Sequence, residues 1–336
     1  MKWYNILSAP VAGIYGMASL VRNALYKGKV LQSHTVSVPT VCVGNLAVGG
    51  TGKTPFVEYL IRMLQKDYKV AVLSRGYKRR TRGFVLADAT TTAVEIGDEP
   101  MQIHTKFPNI PVAVCKDRIE GIQRLQNLYS GLQVVILDDA FQYRRLKCGY
   151  YILLTAYDRL YMKDYFLPLG RLRDNRQESL RAAAVVVTKC PDTMRPIDQR
   201  IVDTTLHLPS FQQLHFSKII YPVVPKAQSM LLVTGIANPE YLLEHVRKSC
   251  PSVSLMAFPD HHAFSVKDIQ TISQAAEKVE IVLTTEKDYM RLMTCDLPEN
   301  LKTKIQALPI TISLTDEDNL RRALHQYIKE NLHIKQ

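Results

Sequence analysis

The stretch from residue 40 to residue 64 constrains this chain more than any other. A β-branched run at 40–43 passes into Gly44-Asn45-Leu46-Ala47-Val48-Gly49-Gly50-Thr51-Gly52-Lys53-Thr54-Pro55, and a helical pattern over 54–64 follows at once. Strand, glycine loop, Gly-Lys-Thr and helix in that order form a cradle for phosphate. Glycines let backbone N–H groups turn inward around phosphate oxygens, and the helix N-terminus adds partial positive charge. The residues of the loop are Ala47, Val48, Gly49, Gly50, Thr51, Gly52, Lys53 and Thr54, with Lys53 reaching the β- and γ-phosphates and Thr54 ligating Mg²⁺. The pattern G-x-x-x-x-G-K-[ST] wants glycine where this chain has Ala47; the adjacent Gly49–Gly50 supplies the turn instead. Alone, the loop specifies ATP or GTP.

Further short apolar runs at 70–73, 112–114, 134–137, 151–154 and 185–188 alternate with helical patterns, among them 118–128. Alternation of this kind predicts a P-loop NTPase-like α/β fold, a mostly parallel sheet with helices on both faces. A second set of strands at 231–234, 252–258, 281–284 and 310–313 predicts a smaller α/β lobe, closed by a helix over 318–330. The prolines at 209, 222 and 225 mark 208–226 as a linker. The expected division is 1–30 for an N-terminal helix, 31–215 for the phosphate-binding core and 216–336 for the smaller lobe across a cleft.

A phosphate loop needs carboxylates on a neighbouring strand for its metal. The run 134–137 ends in Asp138-Asp139, which supplies them. Gly97-Asp98-Glu99-Pro100 places two more acids in a turn that by itself reads as a helix cap. Ser74-Arg75-Gly76-Tyr77 ends a strand and so lies on the functional edge. The arginines of Leu167-Pro168-Leu169-Gly170-Arg171-Leu172-Arg173 suit phosphate through their planar forks. Asp260-His261-His262 and Thr284-Thr285-Glu286-Lys287-Asp288 follow strands of the smaller lobe; metal binding, proton relay and plain turns all fit them.

The net charge of +12 implies an anionic partner: nucleotide, nucleic acid, phosphorylated substrate or acidic membrane. No interleaved aromatic–basic stripe is present, which speaks against nucleic acid. The six cysteines form no C-x-x-C pair and read as buried free thiols. The uncharged stretch 3–21 contains too many Gly, Pro, Ser and Asn residues for a membrane span. Val11, Ile14, Tyr15, Ala18, Val21 and Leu25 share a helical face followed by Arg22, Lys27 and Lys29. Such a helix suits an anionic membrane surface, or packs on its own domain.

Taken in order, VGNLAVGGTGKTP at 43–55, SRGY at 74–77, GDEP at 97–100, LDDAFQYRRL at 137–146, LPLGRLRD at 167–174, TGIANP at 234–239, FPDHHAFS at 258–265 and TTEKD at 284–288 resemble the tetraacyldisaccharide 4′-kinase family, the lipid A 4′-kinases of Gram-negative bacteria. The resemblance spans nearly the whole chain. It implies an enzyme peripheral to the cytoplasmic face of the inner membrane, working as a monomer without nucleic acid. Such an enzyme passes phosphate from Mg·ATP to the 4′-hydroxyl of a lipid disaccharide 1-phosphate. It further implies Asp98 as base with His261 as its partner, Asp138 and Asp139 with Glu99 and Gln142 near the metal, and Arg75, Tyr77, Arg118 and Arg173 at the sugar-phosphate head. The loop's Ala47 is then expected. The chain departs from the family at Tyr143, where histidine is common, and at Leu169 and Arg171. The rival readings are a regulatory ATPase, disfavoured by Val48 where those carry lysine, and a nucleic-acid-dependent ATPase.

Overall fold

The computed structural model describes residues 4–221, 224–236, 239–260 and 262–333. The first part contains α1 (Tyr4–Lys27), β1 (Thr40–Asn45), α2 (Lys53–Leu64), β2 (Val70–Ser74), β3 (Val85–Leu86), α3 (Ala93–Ile96), α4 (Asp98–Lys106), β4 (Val112–Val114), α5 (Arg118–Leu128), β5 (Val134–Asp138), β6 (Tyr150–Ala156), β7 (Ala184–Thr188), α6 (Pro196–Leu206) and β8 (Gln213–Ile220). The second contains β9 (Ser229–Thr234), α7 (Glu240–Arg247), β10 (Ser252–Ala257), α8 (Val266–Ala276), β11 (Ile281–Thr285), α9 (Glu286–Leu292), α10 (Glu299–Lys302) and β12 (Ile305–Leu308). The chain then returns through β13 (Thr311–Leu314) and α11 (Glu317–His333).

The large sheet runs β13-β8-β7-β6-β1-β5-β2-β4-β3, and the small one β10-β9-β11-β12. The small sheet is parallel throughout, whereas β13 and β3 pair antiparallel at the two edges of the large one. The central strands β1, β2, β5 and β7 are buried at every position, as strands covered on both faces must be. Their apolar runs are continuous for the same reason.

The structure divides the chain differently from the linear reading. Residues 213–220, expected as linker, form β8, which pairs parallel with β7; Pro209 lies outside it. The strand expected at 310–313 joins β8 in the large sheet, not the smaller lobe. Helix α11 returns with it. Helix α2 is apolar nearly all round, burying Phe56, Val57, Tyr59, Leu60, Ile61, Met63 and Leu64, so it needs cover on its outer side as well. Leu314, Leu320, Leu324 and Ile328 provide it within one core. Replacing the fully buried Leu324 with Ala therefore loosens the phosphate-binding lobe, at a cost of about 2–5 kcal/mol by chemical denaturation.

Helix α1 packs on its own lobe. Asn23 Nδ2 and Ser19 Oγ donate to Asp174 Oδ1 at 2.7 and 2.9 Å, and Gly16 lies against the Phe166 ring. The opposite face leaves Val11, Ile14, Met17, Leu20 and Val21 exposed. Among the described residues, no helix is long and apolar enough to cross a membrane. The cysteines are free thiols, all buried except the half-buried Cys295.

Candidate active site

Strand β1 delivers the phosphate loop to the carboxyl edge of the large sheet. Gly49 and Gly52 have φ of 110° and 78°, backbone that residues with a Cβ rarely adopt, and Gly52 caps α2 from the left-handed region. Asn45 Nδ2 donates to Thr51 Oγ1 at 2.6 Å, and Thr188 Oγ1 to the Thr51 carbonyl at 2.9 Å. The 171–173 segment zips along the loop, Val48 N–H donating to Arg171 O and Arg173 N–H to Leu46 O, each at 2.8 Å. Alanine at 47 is accommodated in that zipper, bridged to Leu172.

Lys53 Nζ lies 3.9 Å from Asp139 Oδ1. Arg173 grips both oxygens of Asp139 and also reaches Asn45 Oδ1. Burial pushes the Asp139 carboxyl up, but Lys53 and Arg173 outweigh it and hold the group below its ordinary value. Asp138 behaves oppositely. Burial, then Glu99 and Asp139, push its carboxyl up to about 7, although Ser74 Oγ donates to Oδ2 at 3.2 Å. Its other oxygen is buried without a hydrogen-bond partner.

That orphaned oxygen and an all-oxygen donor set from Thr54, Glu99, Asp138 and Asp139 suit a hard divalent cation. Among the described residues no three His, Cys, Asp or Glu side chains close into a ready ligand cage. Mg²⁺ needs none, since it keeps waters and takes one or two carboxylates plus substrate phosphates. Gln142, the other residue expected near the metal, donates its Nε2 to Asn45 O at 2.6 Å.

The Asp138 arrangement has a measurable cost. Its folded carboxyl titrates well above the ordinary value of 3.8, so folding takes up a proton between about pH 4 and 7. The associated stability is complete below pH 3.8 and lost as pH rises through about 7. Asn stays neutral throughout. Asp138→Asn is therefore expected to stabilise the metal- and nucleotide-free protein by about 2–4 kcal/mol at pH 8, a gain that fades towards pH 4 in denaturant titrations.

The turns holding Arg75 and Asp98 are built against each other. Gly76 (φ 70°) and Gly97 (φ 96°) meet closely: a Cβ on Gly97 would lie 2.9 Å from Tyr77 O, and one on Gly76 2.9 Å from Ile96 O. Arg75 and Tyr77 are exposed beside this junction. Arg118 is buried under the Tyr143 ring and donates to Cys115 O and Lys116 O at 3.2 and 2.9 Å. Burial, followed by Arg75, lowers its guanidinium below the ordinary value.

The second lobe faces these turns through α9. Arg291 Nε donates to Asp98 Oδ2 at 2.8 Å, and Lys106 Nζ bridges Glu58 and Glu286 at 2.6 Å each. Lys287 lies 4.0 Å from Asp260, in the field of Glu99 and Asp98. Burial lowers its ammonium below the ordinary value despite those acids. His262 is structural: it stacks on Phe258 and meets Asp268 Oδ2 at 3.0 Å. His261 lies outside the described residues.

Thus Lys53, Asp138, Asp139, Glu99 and Arg173 gather at the loop, and Asp98 stands across the cleft from α9. Sequence reasoning missed Asn45 and Arg291, whereas Arg171 was singled out with its loop. Arg171 Nη1 lies 3.2 Å from where a Gly49 Cβ would stand. The signal for Arg291 was its position one helical turn beyond Lys287.

The family model for tetraacyldisaccharide-1-P 4′-kinase, LpxK, matches residues 4–329. The tetraacyldisaccharide 4′-kinase of Bacteroides thetaiotaomicron is 45% identical, covering 96% of this chain and 93% of its own. That of Flavobacterium johnsoniae is 43% identical over 96% of this chain and 97% of its own. The crystal structure of "apo" form LpxK from Aquifex aeolicus in complex with ATP superposes with a TM-score of 0.74 at 28% identity, covering 95% of this chain and 98% of that one. With the loop, paired acids and two-lobed fold in place, the chain belongs to the tetraacyldisaccharide-1-P 4′-kinase family.

Proposed function

We propose that this protein transfers the γ-phosphoryl group of ATP to the 4′-hydroxyl of a tetraacyldisaccharide 1-phosphate in lipid A synthesis. The observation that carries the reading is the convergence of Lys53, Asp138 and Asp139 with the Asp98–Glu99 turn on one edge, faced by a second lobe. The solved relative with ATP supports the choice of nucleotide.

The N–H groups of residues 47–54 hold the phosphates, and Lys53 neutralises charge that develops on the transferring group. Thr54, Glu99, Asp138 and Asp139 would hold Mg²⁺, with Gln142 bracing Asn45 beside them. Such an ion would supply positive charge against the phosphates of bound ATP. Asp98 accepts the acceptor's hydroxyl proton, and His261 orients it from the second lobe. Arg75, Tyr77, Arg118 and Arg173 border the approach for the sugar-phosphate head.

The exposed apolar face of α1, with Arg22 and Lys27 beside it, rests a monomeric enzyme on the anionic cytoplasmic face of the inner membrane. Purified protein should sediment with anionic but not zwitterionic vesicles, and Ile14→Glu should release it. For the reaction, labelled ATP and a tetraacyldisaccharide 1-phosphate in detergent should yield a labelled lipid. ATP hydrolysis stimulated by DNA or a protein, without labelled lipid, would instead support a regulatory or nucleic-acid-dependent ATPase.

A further inference from the structure

Arg291 spans the two lobes with one side chain. It stands on α9, 8% exposed, and its Nε donates to Asp98 Oδ2 at 2.8 Å. Its Nη1 donates to Asp288 Oδ1 at 3.2 Å. Asp288 is fully buried and fixed in turn: its Oδ2 accepts from Gly235 N–H at 2.8 Å and from Thr285 Oγ1 at 2.7 Å. The guanidinium is thus anchored in the second lobe at one end and holds a carboxylate of the first at the other. Arginine alone has the planar fork for two carboxylates at once; lysine is a single point charge. The same helix α4 that starts at Asp98 ends at Lys106, which makes a second cross-lobe contact, to Glu286. Cutting that contact loosens the lobes without touching Asp98, which separates docking from aiming.

We propose that Arg291 is a positioning residue for phosphoryl transfer: it carries the second lobe's grip onto the Asp98 carboxylate, so that Asp98 is aimed only when the lobes are apposed. The inference rests on the reading of Asp98 as the group that takes the acceptor's proton. Removing the grip leaves the phosphate loop intact, so the loss falls on the transfer step and not on nucleotide binding.

The test compares kcat and KM for ATP in R291Q, R291K, E286Q and D98N. R291Q should lower kcat about 10²-fold and leave KM for ATP within about threefold, as misaimed groups do. R291K keeps a cation at Asp98 without bridging Asp288 and should recover about tenfold of that loss. E286Q, which removes the charge from the carboxylate that Lys106 Nζ and Ile310 N–H share and so weakens the docking contact, should keep kcat within about threefold. Should R291Q not fold because Asp288 is left buried and unpaired, the double variant D288N/R291Q removes that charge and should show the same fall in kcat. An unchanged kcat in either folded variant, or an equal fall in E286Q, overturns the positioning role. Normal turnover in D98N overturns the base reading and this inference with it. An impaired D98N beside a normal R291Q overturns the inference alone.

Discussion

Asp98→Asn is expected to lower turnover about 10³-fold while ATP binds within about threefold of the wild-type affinity. The substitution preserves shape: an amide oxygen can still accept from Arg291, and the Gly76–Gly97 junction that supports the turn is backbone. What it removes is the ability to take a proton. The phosphate loop does not depend on this residue, since its contacts run to Asn45, Thr188 and the 171–173 segment. Steady-state turnover with isothermal titration of ATP separates the two quantities. A variant that turns over normally would mean the acceptor's proton leaves by another route.

Lys53→Met should lower kcat/KM for ATP about 10²–10³-fold, and here nucleotide affinity falls too, which distinguishes it from the Asp98 variant. Lys53 Nζ is 3.9 Å from Asp139 Oδ1, yet Asp139 keeps Arg173 on both oxygens when the lysine is gone. Loss of stability is therefore small, under about 1 kcal/mol, as for a partly solvated ion pair. A large drop in thermal stability together with unaltered kinetics would assign Lys53 to the fold instead of the phosphates.

Most of the phosphate-binding side was legible in the sequence because its chemistry is local. The strands at 40–43, 112–114 and 134–137 and the helices at 54–64 and 118–128 lie where their patterns put them, within a residue or two at the ends. The loop glycines 49, 50 and 52 follow β1, Lys53 opens α2, Asp138 ends β5 and Asp139 follows it. What the pattern did not carry is partnership between distant segments. Residues 213–220 read as linker because prolines flank them, but a strand beside an edge needs only one buried neighbour on each side, and β7 and β13 supply them. The run at 311–314 has the same local character as the strands of the smaller lobe, and only pairing assigns it to the large sheet. Asp98 had no local mark beyond a helix-capping turn; resemblance drew attention to it, and its contact with Arg291 depends on two segments 193 residues apart. The Lys106–Glu286 pair was invisible for the same reason.

The central claim is a transfer of phosphate to one hydroxyl of a lipid, and the most direct measurement is on the product. Wild-type protein, ATP, Mg²⁺ and a tetraacyldisaccharide 1-phosphate are incubated in detergent, with Asp98→Asn in parallel, and the recovered lipid is examined by phosphorus and proton NMR. The wild type should give a second phosphomonoester, at the 4′ carbon, and Asp98→Asn almost none. An unchanged lipid from a preparation that hydrolyses ATP, or phosphate at any other position, would contradict the account.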